Sequence, residues 1–122
     1  MIGYVTLGTN DLQQGAKFYD ALLAEIGANR FMEEDTFIAW AITPDKPSLA
    51  ITKPFNGEAA TIGNGVMVAL DVESPQQVDA LYAKAMELGA TDEGEPGQRG
   101  DGFYAGYFRD LDGNKLNFFC LT

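Results

Sequence analysis

Histidine is absent from this chain of 122 residues, and cysteine occurs once. Without imidazole there is no Ser-His or Cys-His nucleophile pair, no histidine metal ligand and no imidazole base near neutral pH. The single thiol, Cys120, excludes an intramolecular disulfide; its place in the apolar run Leu116-Asn117-Phe118-Phe119-Cys120-Leu121 fits a buried structural residue. Positive charge is scarce as well, with 8 Lys and Arg against 18 Asp and Glu and a net charge of −10. The imbalance is spread along the chain, 8 acids against 4 bases in residues 1–61 and 10 against 4 in residues 62–122. That pattern reads as a solvated acidic surface and excludes nucleic acid and anionic membranes as partners, because both require a basic footprint. No apolar run approaches the roughly 18–20 residues of a membrane span. The polar stretch Gly8-Thr9-Asn10-Asp11-Leu12-Gln13-Gln14 stands where a signal peptide would be apolar. The expected setting is therefore cytoplasmic.

What the chain does contain is ordinary globular composition, 46% apolar and 21% charged, and a near-repeat of its own first quarter. Residues 3–28 and 65–90 each hold a strand-like run, a Gln-Gln pair at a helix start, a mid-helix Tyr and a Gly-Ala exit. Two modules of about 1–61 and 62–122 follow. Each would be marginal alone, so one domain over 1–122 with a shared core is expected.

The periods alternate accordingly. Val5 and Leu7 alternate with Tyr4 and Thr6 as in a two-faced strand. Thr9 or Asn10 is then placed to cap a helix whose apolar positions Leu12, Ala16, Tyr19, Leu23 and Ile26 recur at three- and four-residue steps. Gly27 ends it. Strands are expected near 28–34, 36–43 and 48–53. In the second module Val66, Val68, Leu70 and Val72 form one strand face and Met67, Ala69 and Asp71 the other. Ser74, Pro75 and Gln77 are a cap, a first-turn proline and a capping-box residue. Val78, Leu81, Tyr82, Ala85 and Leu88 make the buried stripe, and Gly89 stops the helix. Strands near 91–93, 103–109 and 115–121 complete a second β-α-β-β-β run. Residues 94–102, with four glycines and a proline in nine positions, read as a loop that is either slack or a lid.

Several chemical motifs fail on spacing. Asp110-Leu111-Asp112-Gly113-Asn114 resembles the start of a calcium loop, but Lys115 stands where the loop glycine belongs, so a hairpin turn on Gly113 is expected. Gly63-Asn64-Gly65 lacks the third glycine of a phosphate cradle and precedes a strand. Arg99-Gly100-Asp101 has the form of an adhesion triplet, out of place in a cytoplasmic chain.

Three segments carry a family resemblance: YVTLGTNDLQQGAKFYDALL at 4–23, GNGVMVALDVESPQQVDALYAKAMELG at 63–89 and GYFRDLDGNKLNFF at 106–119. Together they resemble the vicinal-oxygen-chelate superfamily of glyoxalase I, bleomycin-resistance and extradiol-dioxygenase proteins. The resemblance implies an α+β fold of two paired β-α-β-β-β modules. Their curved mixed sheets carry the helices on the convex side and face a concave cleft, and the assembly is a homodimer. It also implies where metal-dependent members place their ligands. Histidines would stand where this chain has Tyr4 and Met67, a glutamate where it has Asn117, and a further Glu or Gln near Ala50. Strand parity independently turns all four toward the cleft.

That set is poor in ligands: a phenol, a thioether, an amide and a methyl group, where a divalent metal wants imidazole, carboxylate or thiolate. No metal and no cofactor is expected. The cleft residues read from the sequence are Tyr4, Trp40, Ala50, Met67, Tyr104, Tyr107, Arg109 and Asn117, an apolar body with a few orienting polar groups. The expected function is metal-free binding of a small organic molecule. Two alternatives stand beside it: an enzyme of the superfamily using Tyr4 or a displaced carboxylate such as Asp71, and a non-catalytic module whose cleft is a dimer contact.

Overall fold

The computed structural model describes all 122 residues. They form ten elements, two helices and eight strands, in two compact units, Met1–Ile62 and Gly63–Thr122. No helix is long and apolar enough to cross a membrane.

The first unit runs β1 (Tyr4–Gly8), α1 (Leu12–Ala24), β2 (Asn29–Glu33), β3 (Phe37–Ala41) and β4 (Ser48–Thr52). Its sheet has the order β1-β4-β3-β2, with β1 parallel to β4 and the other pairs antiparallel. The helix starts later than the sequence suggests. Asp11, not Thr9 or Asn10, is the cap, and its carboxylate accepts from the Gln14 amide at 3.1 Å. The two neighbours are used otherwise: Thr9 Oγ1 accepts from the Asp11 amide, and the Asn10 side chain bonds both backbone groups of Ala60. Leu12, Ala16, Phe18, Tyr19, Leu22 and Leu23 of α1 are buried, as are Ile38, Trp40, Leu49 and Ile51 of the sheet. Gly15 brings α1 onto β4, since a Cβ there would lie 2.9 Å from Ile51 Cδ1. The other face of this sheet carries no helix.

The second unit repeats the plan: β5 (Val68–Asp71), α2 (Pro75–Glu87), β6 (Thr91–Gln98), β7 (Phe103–Arg109) and β8 (Lys115–Leu121), in the order β5-β8-β7-β6. Ser74 caps α2 through the Gln77 amide, while the Gln77 side chain accepts from Glu73, one residue before the cap. Gly27 and Gly89 follow the two helices with φ of 78° and 103°, and Gly113 turns the β7–β8 hairpin at 90°. Val78, Leu81 and Ala85 pack with Phe108, Leu116, Phe118 and Cys120 as the core.

Two further expectations are corrected. The strand opening the second module begins at Val68, which leaves Met67 outside it and 39% exposed. Residues 94–98 belong to β6, because β7 offers a complete antiparallel edge that pairs even a glycine-rich backbone, at the cost of register shifts at Asp92/Gly94 and Gly94/Gly97.

Candidate functional site

On the helix-free face of the first sheet, β1 and β4 set Tyr4 beside Ser48 and Thr6 beside Ala50, and β3 sets Ala39 beside Ala50. Tyr4, Phe31, Met32, Phe37, Ala39 and Ser48 line a pocket of about 140 Å³. The Tyr4 and Phe37 rings meet edge to face with centroids 6.2 Å apart. An enclosed apolar cavity of about 150 Å³ is enough for benzene; this groove has a similar volume but is open on one side, with Tyr4 63% and Phe31 47% exposed. Four of its six side chains, Tyr4, Phe31, Met32 and Phe37, present aromatic or thioether surface, with the Tyr4 and Ser48 hydroxyls as the polar groups. Ala50 is fully buried beneath this face and lends it only a methyl group.

Trp40 is not in this pocket, contrary to the sequence reading. Its parity with Ile38 turns it to the helix side, where it is 2% exposed, packs against Tyr19 at 5.6 Å and donates from Nε1 to Asp20 Oδ1 at 2.8 Å. Arg30 closes the same cluster, bidentate to Asp20 and 6.0 Å over the indole. The Arg30 guanidinium holds the Asp20 carboxyl below its ordinary range against the opposing effect of burial, and Trp40 adds to the lowering.

On the second sheet Tyr104 and Tyr107 are three residues apart and so lie on opposite faces. Tyr104 belongs to the helix side, its hydroxyl donating to Asp79 of α2 at 2.7 Å, which corrects its placement in a cleft. That carboxylate also raises the pKa of the phenol. Tyr82, on α2, donates to Asp92 at 2.7 Å, and burial, then Asp92, push its pKa up to about 12. Tyr107 is on the helix-free face, directly across from Asn117. Arg109 has the same parity but is held at the hairpin end, in an ion pair with Glu93 at 2.8 Å and a bond to the Gly113 carbonyl. Asn117 is 1% exposed, and neither atom of its amide has a hydrogen-bond partner.

The structure thus brings Tyr4 and Ala50 together on one sheet face and Tyr107 and Asn117 on another, and it separates Trp40 and Tyr104 from both. Phe31, Met32, Phe37 and Ser48 escaped sequence reasoning. The reason for the first two is a bulge: β2 pairs Arg30 with Trp40 and then Met32 with Ala39, which leaves Phe31 without a register partner. Two adjacent side chains then line the same pocket, a pattern that period-2 parity forbids. Phe37 and Ser48 share strand parity with Ala39 and Ala50, and that parity was the available signal. No three Cys, Asp or Glu side chains are grouped so as to hold a metal ion.

A family model described as the Glyoxalase/Bleomycin resistance protein/Dioxygenase superfamily matches residues 1–118. Among solved structures, a glyoxalase/bleomycin resistance protein from Albidiferax ferrireducens T118 is 36% identical, covering 100% of this chain and 99% of its own with a TM-score of 0.91. A glyoxalase/bleomycin resistance protein/dioxygenase family enzyme from Burkholderia phytofirmans PsJN, at 19% identity, covers 98% of each chain with a TM-score of 0.79. Lactoylglutathione lyase from Agrobacterium tumefaciens, at 17% identity, covers 98% of this chain and 92% of its own with a TM-score of 0.71. At these two lower identities the likeness is one of fold alone. No curated protein matches the chain.

Proposed function

Because this chain belongs to the glyoxalase/bleomycin resistance protein/dioxygenase superfamily, we propose that it is a member that binds a small ring-bearing organic molecule without a metal ion. The observation that carries this reading is the pocket of Tyr4, Phe31, Met32 and Phe37, an adaptable aromatic and thioether wall with two hydroxyls at hand. The residues at the family's metal-ligand positions do not fit a divalent ion. Tyr4 must lose its phenolic proton to ligate, Ala50 has no donor atom, the Met67 thioether is soft and weak, and the Asn117 amide is neutral.

Titration of the purified protein with phenol and with benzyl alcohol, followed by amide and methyl NMR, tests the proposal. Saturable shifts at Tyr4, Met32 and Ala39 are expected, and Phe31→Ala should weaken them about tenfold, the loss of one well-packed aromatic contact. Stoichiometric bound metal together with turnover of a hemithioacetal or a catechol would overturn it in favour of the enzyme reading.

The same proposal includes a homodimer. The edge strands β1 and β5 each leave one side without a partner in their own sheets, and Ile2, Phe55, Ile62 and Val66 are exposed apolar side chains. Sedimentation equilibrium should return twice the chain mass. A reducing, cytoplasmic setting is supported by the lone buried Cys120.

A further inference from the structure

The helix-free face of the second sheet has a chemistry different from that of the first. Asn117 of β8 lies there between Tyr107 of β7 and Ala69 of β5, with Lys115 and Phe119 two residues away on its own strand. Its amide is buried with a donor and an acceptor both unpartnered, an arrangement that folding does not favour by itself. Two of the chain's eight bases lie against the ring of Tyr107, the cross-strand neighbour of Asn117. The Lys115 ammonium stands 5.6 Å, and the Arg99 guanidinium 5.5 Å, from the Tyr107 ring centroid. Neither base belongs to any of the four ion pairs. Of the acids near this face, Glu93 is engaged by Arg109, and Asp71 lies at the far edge on β5.

Arg99 rests on a bed made by missing side chains. A Cβ on Gly97 would fall 2.9 Å from its Nη1, and one on Gly94 would fall 3.4 Å from its Nη2 and 3.3 Å from the Tyr107 ring. The guanidinium also donates to the Glu95 carbonyl at 2.6 Å. It is thereby held over Tyr107, on a chain segment with Gly100 and Gly102 beyond it.

We propose that this face binds a small organic carboxylate that carries a hydrogen-bond donor beside the carboxylate, anchored by Asn117 and held by Arg99 and Lys115. The carboxylate accepts from the two bases and from Asn117 Nδ2, and the neighbouring N–H or O–H of the ligand donates to Asn117 Oδ1. Arg99 lifts from its bed to admit the ligand and closes on its charge. The site has the opposite electrostatic sign from a divalent-metal site: in the position where metal-dependent relatives are expected to place a carboxylate, a neutral amide sits beside two cations. It lies in a different unit from the pocket of Tyr4 and Phe37 and does not depend on that pocket's ligand.

The probe is N-acetylglycinate, with its neutral methyl ester as control, titrated into the full chain and followed by NMR. Saturable shifts of the Asn117 side-chain NH2 and of the Tyr107 and Gly97 amides with the acid, and none with the ester, are expected. Arg99→Met should weaken binding about tenfold or more, as the loss of a charge-assisted bond does. Gly97→Ala displaces only the end of a flexible side chain, so it should keep the fold and still weaken binding. Asn117→Leu should abolish binding while the melting temperature stays level or rises, since an apolar side chain of similar size relieves the unpartnered amide. Equal shifts with acid and ester, no shift at Asn117 at millimolar probe, or a lowered melting temperature in Asn117→Leu would each overturn the assignment. Failure of the ring probes at Tyr4 and Met32 would leave these readouts untouched.

Discussion

Trp40 shows how one residue's role turns on a single neighbour. In the run Phe37-Ile38-Ala39-Trp40-Ala41 both strand faces are apolar, so parity alone leaves the indole free to face either way; the Asp20 carboxylate on α1 decides it by accepting the Nε1 proton. Replacing Trp40 with Phe keeps the ring contact with Tyr19 and removes that bond, and chemical denaturation should show a loss of about 1–2 kcal/mol. Asp20 also makes a pH prediction. Its folded pKa is lowered, so its contribution is present above the ordinary carboxylate range and is lost as pH falls through the folded value. The acid limb of stability against pH, measured by urea unfolding, should therefore flatten in Asp20→Asn. Tyr82 acts at the other end of the scale with the opposite sign. A folded pKa of about 12 makes its contribution complete below the ordinary phenol value and lost as pH rises from there through about 12, and Tyr82→Phe should remove this alkaline dependence.

Helix α1 and strand β4 test packing against propensity. Gly15 is a poor helix residue, and Ala in its place normally adds about 0.5–1 kcal/mol. Here the new Cβ would lie 2.9 Å from Ile51 Cδ1 and 3.3 Å from Thr9 Oγ1, and both residues are 1% exposed. Overpacking of a closed core costs about 1–3 kcal/mol and outweighs the propensity gain. Gly15→Ala should destabilise, and Ile51→Val, which lacks the colliding methyl, should recover part of the loss. A double-mutant cycle with additive effects would refute the contact. The helices themselves were legible: the capping residues Ser74 and Pro75, the glycine stops and the three-four spacing are local signals. The boundary errors have partners farther along the chain. Asp11 displaced the two earlier cap candidates because Thr9 and Asn10 were committed to other bonds, with the Asp11 amide and with Ala60, the second being 50 positions away. The continuation of β6 over residues 94–98 was missed because glycines weaken a strand on propensity, while β7 supplied the ladder that made one.

Across the whole chain, 18 acids against 8 bases make self-repulsion a general destabilising term. Added sodium chloride should raise the melting temperature before any specific ion effect enters, as the Debye length shrinks from about 10 Å at 0.1 M toward 3 Å at 1 M. A falling melting temperature would mean that the four ion pairs outweigh the net charge. The duplicated plan, the α+β class, the family and the absence of imidazole chemistry were all determined by the sequence, because hydrophobic period, capping chemistry and residue inventory are written residue by residue along the chain. Tertiary structure alone decided which side chains share a surface. A bulge at Phe31 placed two consecutive residues in one pocket, Asp79 of α2 fixed Tyr104 to the helix side, and glycines at 94 and 97 let Arg99 lie over Tyr107, across from an unpartnered Asn117. Each of these outcomes depends on register and on atoms from distant segments, and period-2 parity carries no information about either.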